Sequence, residues 1–196
     1  MAGAAENQPV PSVKHIVLIG LPGVGKTTVG RAVARRLRRD FVDLDTLIER
    51  SFGKSISQVF QDEGETVFRS AEARVTGEVA GLPPAVVSPG GGWVLNSAAV
   101  AHLLEASRII YLRVSPDAAI RRMGRGIERR PLLSGAVDPF KAMRDLDEAR
   151  KPVYEKYAGM TVETGGIDRS TVITRVVEFV LAAEGDFTLK PEDKND

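Results

Sequence analysis

The residues best suited to chemistry lie together near the amino terminus. The segment Gly20-Leu-Pro-Gly-Val-Gly-Lys26-Thr27 matches the pattern G-x-x-x-x-G-K-[ST] in full, between an apolar strand and an amphipathic helix. Glycines let the backbone wrap around phosphate oxygens, and the start of a helix adds about half a positive charge. Lys26 can reach the β- and γ-phosphates, and the Thr27 hydroxyl can coordinate Mg²⁺. A plain glycine-rich turn is the alternative, but pattern and context together favour a site for a nucleoside triphosphate with Mg²⁺. The residues expected to bind the nucleotide here are Gly23, Val24, Gly25, Lys26, Thr27 and Thr28.

A pair of carboxylates follows the first helical segment, in Phe41-Val-Asp43-Leu-Asp45. In a strand, Asp43 and Asp45 point to the same side, so one can hold the metal through water while the other meets a substrate hydroxyl. The alternative is that both cap a following helix, Thr46–Phe52, because Asp is a common N-cap residue. Open α/β sheets bind ligands at the carboxyl ends of their strands, which favours the functional interpretation.

Three consecutive glycines form a second unusual loop, Gly90–Gly92, which follows Pro89 and the apolar segment Ala85–Ser88. Three glycines cost backbone entropy, so this loop needs a close approach or a positive φ. A tight turn is the plain alternative, although it rarely requires three glycines. We expect a substrate to lie on the exposed backbone N–H groups of this loop.

Arginines are concentrated where a third functional segment is expected. The run contains Gly124 and Gly126 and ends in Arg130-Pro-Leu-Leu. A solvated helix face is the usual interpretation of such a run, but the glycines favour a mobile lid. Lid arginines can neutralise a transferring phosphoryl group, and lid closure excludes water. The arginines of the run are Arg121, Arg122, Arg125, Arg129 and Arg130.

The elements that must position these residues alternate between short apolar runs and amphipathic stretches. Strands are predicted at His15–Ile19, Phe41–Leu44, Ala85–Ser88, Ile109–Val114 and Met160–Glu163. Helices are predicted around Val29–Leu37 and at Thr46–Phe52, Thr66–Ala80, Ser97–Glu105, Pro116–Met123, Asp138–Tyr157 and Asp168–Ala183. Pro152 is expected to end or kink the long helix. Strands without polar alternation, interleaved with helices, predict a parallel α/β sheet covered on both faces.

The amino-acid composition argues against several classes of function. The 196 residues carry 27 Lys and Arg against 26 Asp and Glu, for a net charge of +1, which argues against nucleic-acid or membrane partners. The absence of Cys excludes thiolate chemistry and fits a cytoplasmic protein, while two His leave little room for a histidine metal site. We expect one domain over residues 14–183, disordered tails at 1–13 and 184–196, no secretory signal and a monomer.

Six motifs occur in the order and spacing of shikimate kinases, which this chain resembles from about Ile16 to Thr164. They are the Gly-rich segment ending in Lys26-Thr27, Asp43-x-Asp45, Glu65-Thr-Val-Phe-Arg69, Gly90–Gly92, Arg130-Pro-Leu-Leu and Arg150-x-Pro-x-Tyr154. The resemblance implies a three-layer P-loop kinase fold with a five-stranded parallel sheet, helices on both faces, a substrate-binding helical segment and a lid. It also implies transfer of the γ-phosphoryl group of MgATP to the 3-hydroxyl of shikimate, giving ADP and 3-phosphoshikimate for chorismate and aromatic amino-acid biosynthesis.

The same resemblance implies roles for individual residues. Lys26, Asp45 and Arg130 are the implied catalytic residues, with Arg130 also on the ATP phosphates. Thr27 and Asp43 are the implied metal site. Asp45, Arg69, Gly90, Gly91, Gly92 and Arg150 are the implied substrate-binding residues, and Glu72 orients Arg69. Pro89 and Trp93, which flank the glycines, depart from the expected pattern and would alter the stiffness of the loop.

Two other functions fit part of the pattern. One is a kinase for another small acceptor, such as gluconate or a nucleotide; Arg69, Arg150 and the glycine triplet together argue against it. The other is a regulatory module that binds nucleotide and a small acid without turnover. Such modules usually lose a catalytic residue, whereas Lys26, Thr27, Asp45 and Arg130 are all present.

Overall fold

A five-stranded sheet lies at the centre of the computed structural model, which describes residues 13–129, 133 and 135–185. All pairings are parallel, and the spatial order of the strands is β2-β3-β1-β4-β5. All five residues of β1 are buried, because helices cover both faces of a parallel sheet. The expected α/β fold with five parallel strands is therefore confirmed. The strands are β1 (His15–Ile19), β2 (Phe41–Asp43), β3 (Val86–Ser88), β4 (Ser107–Arg113) and β5 (Met160–Glu163).

The helices place their apolar stripes against this sheet and against one another. Helix α1 packs on α8, α4 on α5, and α6 on α7. The described helices are α1 (Lys26–Leu37), α2 (Leu44–Phe52), α3 (Ile56–Asp62), α4 (Gly64–Ala80), α5 (Ser97–Leu104), α6 (Pro116–Met123), α7 (Pro139–Tyr157) and α8 (Arg169–Glu184). Short 3₁₀ turns occupy Trp93–Leu95 and Gly124–Arg129.

Helix α2 begins earlier than the sequence pattern predicted, and this corrects the argument about the carboxylate pair. Asp43 ends β2, and its Oδ1 accepts a hydrogen bond of 3.3 Å from the Thr46 N–H, so Asp43 is the N-cap. Leu44 and Asp45 are the first two residues of the helix. The expectation that Asp43 and Asp45 share one side of a strand is therefore wrong, although the capping interpretation is confirmed for Asp43.

Helix α3 was absent from the prediction. Ser55 and Gln58 form a capping box in which the Ser55 N–H donates to Gln58 Oε1 at 3.0 Å and the Gln58 N–H donates to Ser55 Oγ at 3.3 Å. The pattern S-x-x-Q before an apolar residue is a known helix-start signal, so the sequence did contain the cue.

Helix α7 continues through Pro152 to Tyr157, so the proline does not end the helix. Pro152 lacks an N–H group for the carbonyl of Glu148, and both residues are exposed. Water can bond to that carbonyl, which reduces the cost of the proline within the helix.

The predicted tails overlap the described residues at Val13, Glu184 and Gly185. Glu184 is the last residue of α8, and its Oε2 lies 2.5 Å from Arg39 Nη2, so this residue belongs to the helix. Residues 1–12 and 186–196 lie outside the described residues. Among the helices that are described, none is both long and apolar enough to cross a membrane.

Candidate active site

The Gly-rich loop joins β1 to α1, and no side chain caps the N-terminus of that helix. At Gly23, with φ of +80°, a Cβ would lie 2.5 Å from the Ala119 carbonyl oxygen of α6, so a side chain has no room. Gly25 is the N-cap of α1 with φ of +105°, and no side chain caps the helix. The first turn contains no acidic residue. The amide groups of this turn are therefore well placed for an anion such as a phosphate.

Lys26 and Thr27 occupy the first two positions of α1. The Lys26 ammonium donates to the carbonyl oxygens of Gly20 at 2.9 Å and Leu21 at 3.1 Å, which holds it across the loop. The Thr27 hydroxyl donates to Asp43 Oδ2 at 3.1 Å. A hydroxyl and a carboxylate oxygen side by side are the hard ligands that Mg²⁺ prefers.

A second pocket opens beside the Gly90–Gly92 loop, and two guanidinium groups converge on it. A Cβ built on Gly92 would lie 3.1 Å from Arg69 Nη2 and 3.5 Å from Arg150 Nη2. Glycine is therefore what lets the backbone lie against both arginines. The pocket is lined by Pro22, Asp45, Ile56, Phe60, Phe68, Arg69, Glu72, Gly90, Gly91, Gly92, Leu133, Leu146 and Arg150.

Arg69 lies between two carboxylates on its own helix, α4. Its Nη1 donates to Glu72 Oε2 at 2.9 Å and more weakly to the Gly92 carbonyl oxygen at 3.4 Å. Its Nε and Nη2 donate to Glu65 Oε1 at 3.2 and 3.0 Å. The Glu65 side chain is 65% exposed, whereas that of Glu72 is 2% exposed. Burial acts to lower the pKa of Arg69, but the two carboxylates outweigh it and the pKa is raised.

Arg150 is 5% exposed and comes from α7, one helical turn before Tyr154. The Tyr154 hydroxyl donates to the Gly91 carbonyl oxygen at 2.5 Å, and its ring stacks on Tyr111 with centroids 5.0 Å apart. Burial raises the pKa of Tyr154 to about 12, against the opposing effect of Arg150, so this phenol stays neutral. Helix α7 thus positions the Arg150 guanidinium and, through the Tyr154 hydroxyl, the backbone of Gly91.

Another pocket opens beside the Gly-rich loop, at the site where the sequence predicts the nucleotide, and is called the nucleotide pocket below. It meets the second pocket at Asp45 and the glycine loop. A Cβ built on Gly90 would lie 2.8 Å from Asp45 Oδ1, so this carboxylate lies directly against the loop. Asp45, Ile56, Gly90 and Gly91 line both pockets. A carboxylate between a phosphate cradle and an arginine-lined pocket suits transfer of a phosphoryl group to a hydroxyl. The nucleotide pocket is lined by Gly23, Gly25, Lys26, Thr27, Thr28, Asp43, Asp45, Glu49, Ile56, Ser88, Pro89, Gly90, Gly91, Arg122, Met123 and Gly126.

Comparison with known proteins assigns the family. The shikimate kinase family model matches residues 22–181. The chain belongs to the shikimate kinase family. Shikimate kinase of Bordetella pertussis is 37% identical over 183 residues, which cover 92% of this chain and 86% of that protein. Shikimate kinase of Symbiobacterium thermophilum is 39% identical over 165 residues, which cover 84% of this chain and 94% of that protein.

Solved structures agree with that assignment. Shikimate kinase from Acinetobacter baumannii in complex with shikimate superposes with a TM-score of 0.82 at 32% identity, covering 92% of this chain and 97% of that one. A gluconokinase from Sinorhizobium meliloti superposes with a TM-score of 0.53 at 19% identity, covering 91% of this chain and 94% of that one. The latter likeness is one of fold alone.

The family's expected site residues fall into three groups in this structure. Those around the two pockets are brought together, namely Gly23, Gly25, Lys26, Thr27, Thr28, Asp43, Asp45, Arg69, Gly90, Gly91, Gly92 and Arg150. Val24 is 3% exposed and packs in the core, so any contribution to nucleotide binding comes from its backbone. Arg130 lies outside the described residues.

The arginine run predicted to be a lid begins within a helix. Arg121 and Arg122 belong to α6, and Gly124–Arg129 forms a 3₁₀ turn. Arg122 donates to Thr164 Oγ1 at 2.9 Å and to the Thr164 carbonyl oxygen at 2.5 Å, so it joins α6 to the loop after β5. The role of the run as a mobile lid stays a prediction.

Three site features were missed by the sequence analysis. Glu65 and Asn96 both contact Arg69, and Phe60 and Phe68 form one apolar wall with ring centroids 4.6 Å apart. Glu65 stands four residues before Arg69, a spacing that brings side chains together on a helix and was available as a signal. Asn96 is 27 residues away from Arg69 in sequence, so only the fold reveals that contact.

Proposed function

We propose that this chain is an ATP-dependent shikimate kinase that transfers the γ-phosphoryl group of MgATP to the 3-hydroxyl of shikimate. The observation that carries the proposal is the junction of the two pockets at Asp45, with a phosphate cradle on one side and paired guanidinium groups on the other. Shikimate is a hydroxylated ring with one carboxylate. It therefore requires an acceptor for its hydroxyls and cationic donors for its carboxylate.

The acceptor is held by its two polar ends. Arg69 and Arg150 bind the carboxylate, with backbone N–H groups of Gly90–Gly92 beside it, while the apolar wall faces the ring. Asp45 accepts a hydrogen bond from the reacting hydroxyl and receives its proton as the new bond forms. Because phosphoryl transfer depends largely on positioning, aiming the hydroxyl is as important as basicity.

The donor is held by the Gly-rich loop. Its amides and Lys26 bind the phosphates, and Arg130 stabilises the charge of the transferring group. Thr27 and Asp43 would hold Mg²⁺, which neutralises phosphate charge during transfer. No described cluster of three or more His, Asp or Glu residues could hold a metal. Mg²⁺ is commonly bound in proteins through only one or two carboxylates, so Asp43 together with Thr27 would be sufficient to hold it.

An ADP-release assay with a panel of acceptors tests this function. Shikimate should support turnover, whereas gluconate and nucleoside monophosphates should not. Turnover on another acceptor in preference to shikimate would overturn the proposal, and nucleotide binding without any turnover would favour the regulatory alternative. We further propose that the protein is a cytoplasmic monomer without nucleic-acid or membrane partners. Sedimentation of the purified protein tests whether it is a monomer.

Replacement of Arg150 by Lys should raise the KM for shikimate about tenfold or more and leave the KM for ATP within about twofold. Lysine keeps the charge but lacks the planar fork, and a hydrogen bond to a charged group contributes about 1.5–3 kcal/mol. Steady-state kinetics with each substrate varied in turn provide the measurement. Arg144→Lys, on the exposed side of the same helix and paired with Asp117, is the matched control. Equal changes in both KM values would remove Arg150 from the carboxylate site.

Replacement of Glu65 by Gln should lower the KM for shikimate about two- to fivefold. Glu65 occupies the Nε and Nη2 edge of Arg69, so it competes with the substrate carboxylate for the same donors. An exposed ion pair contributes only about 0.2–1 kcal/mol, which limits the gain. Glu78→Gln, which removes the exposed i,i+4 pair with Arg74 on the same helix, is the control. An unchanged or increased KM in Glu65→Gln would contradict the competition.

A further inference from the structure

Asn96 links the glycine loop to the helix that carries Arg69. It follows the turn Trp93–Leu95 and is the N-cap of α5, with its Oδ1 accepting from the Ala99 N–H at 3.3 Å. At its other end, Nδ2 donates to the Arg69 carbonyl oxygen at 2.8 Å and to Glu72 Oε2 at 3.0 Å. The Asn96 side chain thus caps α5 and forms hydrogen bonds with α4.

The carboxylate that Asn96 contacts is buried and already paired with a site residue. Glu72 Oε2 accepts from both Asn96 Nδ2 and Arg69 Nη1, at 3.0 and 2.9 Å. Burial raises the pKa of Glu72, and the Asn96 hydrogen bond is the foremost of the effects that oppose this rise. A buried carboxylate requires such partners to stay ionised and fixed in place.

The contacts of Asn96 continue into the glycine loop. Its backbone N–H donates to the Trp93 carbonyl oxygen at 2.9 Å, and the Trp93 N–H donates to the Gly90 carbonyl oxygen at 3.1 Å. The indole Nε1 of Trp93, which is fully buried, donates to Thr76 Oγ1 at 3.2 Å. Thr76 Oγ1 in turn donates to the Glu72 carbonyl oxygen at 2.6 Å. Loop and helix are therefore joined through two routes that both reach Glu72.

We propose that Asn96 is a positioning residue for recognition of the acceptor's carboxylate. Its Nδ2 fixes the Glu72 carboxylate, Glu72 fixes Nη1 of Arg69, and Nη2 of that guanidinium lies beside Gly92 in the second pocket. Asn96 touches neither substrate, and its side-chain amide acts on the acceptor through Glu72 and Arg69. This inference rests on the proposed function, since the acceptor is taken to carry a carboxylate.

Two substitutions separate positioning from helix capping. Asn96→Ser keeps an N-cap oxygen but removes the Nδ2 donor, and we expect the KM and the Kd for shikimate to rise about five- to twentyfold. Asn96→Asp also keeps the cap but places a second carboxylate beside Glu72. It should raise both constants further, because a like charge disfavours the ionised Glu72 that holds Arg69. In both variants kcat and the KM for ATP should stay within about twofold of the wild type.

Asp168→Ser is the matched control, because Asp168 is the N-cap of α8 and accepts from the Thr171 N–H, on a helix that lines neither pocket. Its shikimate constants should equal those of the wild type. Unchanged shikimate constants in both Asn96 variants, or equal losses for shikimate and ATP, would overturn the positioning role. Calorimetric Kd values keep this test separate from turnover. A wild type that binds shikimate without phosphorylating it overturns the proposed function alone, and one that does not bind shikimate overturns both.

Discussion

Replacement of Asp45 by Asn should lower kcat with shikimate by about 10²–10⁴-fold, the usual contribution of a positioned acid or base. Asp45 lies in the first turn of α2, lines both pockets and lies against Gly90. Asparagine has the same shape but cannot receive the hydroxyl proton, and its amide presents a donor where the hydroxyl needs an acceptor. Steady-state turnover with saturating MgATP measures the loss, and the KM for ATP should change by less than about threefold.

The control for this substitution has the same position in another helix. Asp117 is the second residue of α6, as Asp45 is of α2, and it pairs with exposed Arg144. Asp117→Asn should therefore leave kcat within about twofold of the wild type, since exposed ion pairs contribute little. A kcat of Asp45→Asn within tenfold of the wild type would contradict the assigned role of this carboxylate.

Replacement of Arg130 by Ala should have the largest effect, a fall in kcat of about 10³–10⁵-fold. Gly126 lines the nucleotide pocket and Leu133 lines the second pocket. In the sequence, Arg130 lies between these two residues. Arginines that stabilise the charge of a transferring phosphoryl group contribute about this much elsewhere. Single-turnover experiments, which isolate the chemical step from product release, give the measurement.

Arg121→Ala provides the comparison, because Arg121 is an exposed residue of the same arginine run and lines neither pocket. Its single-turnover rate should match that of the wild type. If Arg130→Ala reacts as fast as Arg121→Ala, Arg130 does not contribute to catalysis.

The phosphate cradle could be predicted from sequence because its requirements are local. A strand, a glycine loop and a helix start occupy one continuous segment, and β1 has the predicted bounds. The glycine triplet was equally informative, since Gly92 lies close to two guanidinium groups where a side chain would crowd them. Both cases depend on glycine, whose identity reports directly on space and backbone conformation.

The carboxylate pair shows where local reasoning fails. Asp43 and Asp45 were predicted to share one side of a strand, yet Asp43 caps α2 and Asp45 lies inside that helix. They still border the same pocket, because the carboxyl end of β2 delivers both to the edge of the sheet. The functional prediction thus depended on the strand's end and not on strand periodicity.

Contacts between segments that are distant in the sequence could not be predicted from the sequence pattern. Asn96 follows a turn and precedes a helix, which indicates an N-cap and nothing more. Its contact with Glu72 exists because α4 and α5 pack side by side beside the glycine loop. Trp93 was noted as a departure from the expected pattern, and its burial against Thr76 likewise depends on that packing.

The chemical identity of the product tests the central claim most directly. Wild-type protein is incubated with MgATP and shikimate, and phosphorus–proton correlated NMR locates the transferred phosphate. We predict one ADP for each 3-phosphoshikimate formed, with no ADP release when shikimate is omitted. Phosphate on another hydroxyl, or ADP release that does not depend on shikimate, would contradict the account.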